Sequence, residues 1–172
     1  SNYASVEKEY KDNIIFSPQG SSTFTVFTNI DRQSYNHTSK TTDAQKTSTK
    51  KAILNKDFRQ ALNFAYDRKA YSDQVNGEEG ALKSVRNLYV PPTFVQVGDK
   101  NFGDVVKEDV VKYGDEWKDV DFSDATNGLY NPEKAKAEFA KAKEALQAEG
   151  VEFPIHLDIP TIQTNTLIVK RA

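Results

Sequence analysis

The sequence predicts an α/β chain of mixed α+β type, and three observations predict it. Residues 55–66 and 131–149 carry apolar side chains at helical spacing behind good capping residues. Residues 22–30 and 153–159 alternate apolar and polar types at the period of a strand. Leu, Ile, Val and Phe number 40 of 172 residues, above the ~20 % level that signals disorder. A modest core is therefore possible, with 28 % charged residues left for the surface.

Composition excludes several functions. With no Cys there is no disulfide framework, thiol nucleophile, Cys-based zinc site or iron–sulfur cluster. A net charge of −2 leaves no electrostatic footprint for nucleic acid. No run approaches the ~18 apolar residues of a membrane span. Ser1-Asn2 and the absence of Met are expected of a processed or excised segment, and no signal peptide opens the sequence as given.

In chain order, residues 3–12 are charged and mildly helical. Ile14, Ile15 and Phe16 are a strand candidate, and Ser17 to Ser21 form a turn. In residues 22–30, Phe24, Val26, Thr28 and Ile30 share one side, and Thr23, Thr25, Phe27 and Asn29 the other. Together these segments suggest a hairpin. Phe27 falls on the more polar face, where it either packs under a loop or lines a pocket. Residues 34–51 hold only Tyr35 and Ala44 as apolar types and carry a net +3, which reads as an exposed polar loop.

Asn55 caps a helix whose stripe is Phe58, Ala61, Leu62, Ala65 and Tyr66. Asp67 caps a second helix, Arg68 to Val75, bounded by Gly77 and Gly80. Arg59 and Arg68 read as surface or ion-paired residues. Residues 88–130 form an extended or inserted region. Pro91-Pro92 bars a central strand there, and Asp104 caps a short helix before Gly114. From Asp99 to Asp124, nine acids and four lysines give a solvated face without calcium-loop spacing.

The clearest element is 131–149. Asn131 is its N-cap, Pro132 its first residue, Gly150 its stop, and Ala135, Phe139, Ala142 and Leu146 its stripe. A strand comes next, with Phe153, Ile155, Leu157 and Ile159 on one side. A helix then opens at Asn165, so 131–172 reads as helix, strand and the start of a helix. That helix reaches Ala172 after about two turns, which is expected of a truncated segment.

Catalytic chemistry is sparse. His37 and His156 lie far apart, and neither a nucleophile elbow nor a phosphate loop is present. No enzyme, cofactor or metal is expected. A binding module needs only a shaped pocket and a few polar groups, which this sequence permits.

The stretch Leu54 to Arg68, with Asp57-Phe58-Arg59-Gln60-Ala61-Leu62 and Ala65-Tyr66-Asp67-Arg68 at its heart, resembles the signature helix of family 5 extracellular solute-binding proteins. Upstream, Phe27-Thr28-Asn29 resembles the strand that precedes that helix. Downstream, Tyr130-Asn131-Pro132-Glu133-Lys134-Ala135 resembles the family's next helix start. The order and spacing agree over about residues 5–172. Loop 34–51 and the insert around Val90–Phe122 resemble the streptococcal Ami/Ali group of oligopeptide-binding lipoproteins.

That resemblance implies a periplasmic-binding-protein-like (type II) clamp, of which this chain is an internal part of the second lobe. It implies capture of oligopeptides outside the cell and delivery to the membrane subunits of an ABC importer. Attachment to the membrane would be only through a lipid anchor that this sequence lacks, and no nucleic acid is implied. The acidic residue that pairs with the peptide amino group would lie beyond Ala172. Cleft-facing candidates carried over to this sequence are Thr25, Phe27 and Asn29, then Thr161, Gln163 and Asn165, with Asn76 weaker. Each has a capping or loop-packing role as its alternative. Rival readings are a same-fold binder of another solute and a surface adhesin or interaction domain.

Overall fold

In chain order the described elements are α1 (Tyr3–Tyr10), α2 (Asp43–Leu54), α3 (Lys56–Ala65), α4 (Arg68–Ala81), β1 (Gln96–Val97), β2 (Lys100–Asn101), α5 (Phe102–Val110) and α6 (Pro132–Ala148). This computed structural model describes residues 3–17, 20, 22–90 and 94–160. They divide into two units. The first is Ser1–Thr25 with Tyr66–Tyr130, and the second is Val26–Ala65 with Asn131–Ala172.

In the first unit α1 packs on α4, and Lys11 Nζ lies 2.7 Å from Glu79 Oε1. Asp67 caps α4 as expected, its Oδ1 accepting from the Ala70 amide at 2.9 Å. The helix does not stop at Val75. It bends at Gly77, where φ is 67°, and continues to Ala81. Glycine takes that angle without a Cβ clash. β1 and β2 pair antiparallel around Gly98. Two-residue strands are too short for alternation to reveal them.

The second unit is built on α3 and α6. Asn55 and Asn131 cap them, accepting from the amides of Phe58 (2.9 Å) and Lys134 (3.0 Å). The Asn131 amide donates to the Phe64 carbonyl at 2.8 Å, tying the start of α6 to the end of α3. Ala52, Ile53, Phe58, Ala142, Leu146 and Val151 form the core, with Leu62, Phe153 and Ile155 packed against it. Phe64 and Leu146 are the largest fully buried side chains. Burying one such side chain stabilises by about 1.5–3 kcal/mol.

The segment expected as loop is helical from residue 43. Thr42 Oγ1 accepts from the Gln45 amide at 3.1 Å, and Gln45 Oε1 accepts back from the Thr42 amide, a capping box. Ser48 and Thr49 are buried on α2 beside the core residues Ala52 and Ile53, so hydrophobic periodicity misses its first turns. Ser48 Oγ accepts from the Glu152 amide at 3.0 Å. Thr49 Oγ1 lies 2.8 Å from the Gln45 carbonyl and 3.2 Å from that of His156.

The three expected strands, 14–16, 22–30 and 153–159, are not strands here. Each is non-helical chain, and the one sheet among the described residues is β1–β2. Alternation marks which side chains share a face, but a strand also requires a partner backbone. Phe24, Val26 and Ile30 are exposed accordingly, as are Leu157 and Ile159.

One carboxylate holds the ends of two of these segments. Asp158 Oδ2 accepts from Lys40 Nζ at 2.6 Å, Thr38 Oγ1 at 2.7 Å and Arg32 Nη1. Its Oδ1 accepts from the amide and hydroxyl of Ser39, each at 3.0 Å. Burial disfavours the charge, but these donors outweigh it and hold the carboxyl far below the usual carboxylate range.

Leu146→Ala is expected to lower unfolding free energy by about 3 kcal/mol, read from urea denaturation followed by circular dichroism. The Asp158 carboxyl has a lower pKa folded than unfolded. Its contribution is therefore complete above about pH 5 and is lost as pH falls through the folded value. Asp158→Asn should cost about 3 kcal/mol at neutral pH and flatten that part of the acid dependence. An unchanged acid limb in the variant would show that the cluster does not carry it.

Candidate functional site

The segment that carries Thr25, Phe27 and Asn29 runs from 22 to 29 without regular structure and is almost wholly exposed. Phe27 is 77 % exposed. Of the two readings of Phe27, burial under a loop therefore does not hold within the described chain. Thr25 is exposed as well, while Asn29 turns its Oδ1 back onto the Asp31 amide at 3.1 Å. That bond is an Asx turn, so it steers the chain out of the segment.

Asn76 sits at the α4 kink. Its Nδ2 donates to Ser72 Oγ at 2.9 Å and Ser84 Oγ at 3.0 Å, and those two hydroxyls lie 2.6 Å apart. Its donor is thus engaged in holding the kink. Thr161, Gln163 and Asn165 lie outside the described residues.

The two best-formed recesses among the described residues take in none of Thr25, Phe27, Asn29 and Asn76. Sequence reasoning missed both. The larger, about 690 Å³, is an open groove of the second unit between α3, α6 and residues 153–155. Phe58, Phe139 and Phe153 form its floor, with ring centroids 6.3 and 6.2 Å apart in succession. Lys143 Nζ lies 5.9 Å from the centre of the Phe153 ring. Phe58, Ala61, Leu62 and Ala65 are legible as one stripe and line this groove, Phe58 and Ala61 as its buried members, while Gln60 and Phe64 are buried as well. In the stripe of α6, Ala135, Ala142 and Leu146 are buried. Phe139 stays 40 % exposed, and Glu138 is buried instead, accepting from Gln60 Nε2 at 3.1 Å and Lys141 Nζ at 2.7 Å.

The smaller recess belongs to the first unit and is lined by Ile14, Ile15, Phe16, Lys83, Asp124 and Ala125. Burial raises the Asp124 carboxyl, opposed by the Arg86 guanidinium, whose Nε lies 3.9 Å away. Asn87 Nδ2 donates to the carbonyls of Ser123 (2.8 Å) and Thr126 (2.9 Å). Ala125, between them, has φ of 60° and donates its amide to the Val85 carbonyl at 2.9 Å. These bonds hold a left-handed alanine in place, a fold-level role.

The two arginines named from sequence are structural. Arg59 Nη1 donates to the carbonyls of Ile53 (2.6 Å) and Leu54 (2.8 Å), closing the C-terminal end of α2. Arg68 lies 5.6 Å over the Tyr66 ring and donates to its carbonyl at 3.3 Å. Among the described residues no group of three or more His, Cys, Asp or Glu could hold a metal. What the molecule offers is exposed non-helical backbone and apolar recesses, which suit binding.

Comparison with known proteins agrees in kind. The chain is 68 % identical over 169 residues to the oligopeptide-binding protein SarA of Streptococcus gordonii, covering 98 % of this chain and 26 % of that protein. It is 67 % identical over 169 residues to the oligopeptide-binding protein AliA of Streptococcus pneumoniae, with the same coverage. It is 60 % identical over 171 residues to AmiA of that species, an oligopeptide-binding protein, covering 99 % of this chain and 26 % of AmiA. The chain thus spans about a quarter of the length of these curated relatives. The profile of the bacterial extracellular solute-binding proteins, family 5 (middle), matches residues 1–168, and the chain belongs to that family.

Proposed function

We propose that the chain is one section of the oligopeptide-capturing component of an ABC importer, displayed outside the cell on a lipid anchor. The observation that carries this reading is identity of 60–68 % to three oligopeptide-binding proteins over nearly the whole chain. Identity at that level preserves the fold and the packing of the core.

The local structure supports the same reading. A peptide held extended presents its own amides and carbonyls, which need unpaired backbone opposite them. Residues 22–29 and 153–160 are non-helical chain outside any strand ladder among the described residues. In this role Phe27 gives the peptide an apolar contact, Thr25 and Asn29 give it polar ones, and Thr161, Gln163 and Asn165 add contacts from the second segment. Asn76 is the weakest contact, because its amide nitrogen is already engaged. Contacts made to main chain leave selectivity for peptide sequence loose.

A clamp binds by closing two lobes on its ligand, and one section of one lobe forfeits most of that contact. Mass spectrometry of ligand released from the purified full-length protein is expected to show a mixture of short peptides. Recovery of only a sugar or a metal chelate would overturn the assignment. Calorimetric titration of this chain alone with those peptides should show no tight binding. A submicromolar dissociation constant would mean that a single section suffices.

A further inference from the structure

We propose that Asp158 is a positioning residue for ligand capture, locking the chain that leaves Phe27 and Asn29 onto the segment 153–160. The inference rests on the peptide-capture reading and names the device that aligns that site.

Residues 29–40 are wound in a definite way. Asn29 starts the turn by accepting from the Asp31 amide. Arg32 then organises residues 34–37. Its Nε donates to the Ser34 carbonyl at 2.8 Å, its Nη2 to the His37 carbonyl at 3.2 Å, and its guanidinium lies 4.5 Å over the Tyr35 ring. The loop is wrapped around one planar cation, whose remaining nitrogen Nη1 bonds Asp158. Thr38, Ser39 and Lys40 add four further bonds to the same carboxylate.

The placement of these bonds gives them their consequence. Arg32 is three residues beyond Asn29 and five beyond Phe27. No ladder fixes residues 22–29 among the described residues; Arg86 Nη1 donates to Thr23 Oγ1 at 3.2 Å near their start, and Lys50 Nζ donates to Asp31 Oδ1 at 3.4 Å just past their end, an exposed pair. The buried anchor past Asn29 is Asp158, far off in sequence and on the other candidate segment. The anchor is also hard to release. The Lys40 side chain is 1 % exposed, so its ammonium depends on this carboxylate for compensation. Two cations, Arg32 and Lys40, face the carboxylate. His156, two residues away, pairs with Gln45 at 3.3 Å, and His37 contributes its carbonyl to Arg32.

The test uses the full-length protein and, as probe, the peptide most enriched on the wild type. Arg32→Gln keeps the Lys40–Asp158 pair and removes the link to the turn. It is expected to bind the probe at least tenfold more weakly while its thermal midpoint stays near wild type. Asp158→Asn combined with Lys40→Met removes the buried charge pair together, avoiding an orphaned ammonium. It should recover the midpoint lost by Asp158→Asn alone without recovering affinity. Affinity that returns with stability in the double variant, or wild-type affinity in Arg32→Gln, overturns the proposal. Absence of any peptide from the wild type would instead overturn the peptide-capture reading beneath it.

Discussion

Phe64 and Leu146 are the two largest fully buried side chains, and they lie on α3 and α6, the helix pair on which the second unit is assembled. Both helices start at asparagine caps, so their N-terminal ends are set by local bonds. The bond from the Asn131 amide to the Phe64 carbonyl then fixes where one begins against where the other ends. Small residues at the contact, Ala61, Ala135 and Ala142, let the helices approach closely. A buried carboxylate at the same contact, Glu138, adds direction. It is held by Gln60 across the helix pair and Lys141 along its own helix, and a rotated helix would leave it without the Gln60 donor.

Around that pair the chain uses polar chemistry where a larger core would use apolar area. α2 is docked by Ser48 and Thr49 onto the backbone of residues 152–156, and Lys51 Nζ donates to the Glu149 carbonyl at 2.7 Å. Each such bond contributes only about 1 kcal/mol net, but leaving a buried partner unsatisfied costs more. The set therefore acts mainly on specificity, since it permits one register of 151–160 along α2. The Asp158 cluster closes the same row at the N-terminal end of α2, where residues 38–40 meet the carboxylate.

This division explains which features can be read from the sequence. The capped apolar helices are legible because cap and stripe are local signals, as Asn55, Asp67 and Asn131 show. α2 is not legible, because Ser48 and Thr49 take two of its four buried positions and its capping box lies in a polar run. The net charge of residues 34–51 points toward solvent, yet Lys40 is buried against a carboxylate more than a hundred residues away. Only the fold supplies such a partner. Phe27 can be placed on a face from alternation alone, but whether that face is covered is beyond the pattern. In the structure Phe27 is exposed and lines neither recess, and the resemblance supplies the remaining site residues.

Exposed backbone and loose selectivity are physically linked in such a site. Amide and carbonyl groups are the same at every peptide residue, so a binder that reads them gains affinity per residue and little discrimination. The cost is that the binding chain must itself stay outside a ladder, where nothing regular holds its direction. A short, rigid anchor just past the contact residues answers that requirement without occupying their hydrogen-bonding groups. Arg32 stands at that place in the sequence and reaches Asp158 from there. Arg32 suits the role better than a lysine would, because its fork binds two loop carbonyls and the carboxylate at once and fixes the angle between them.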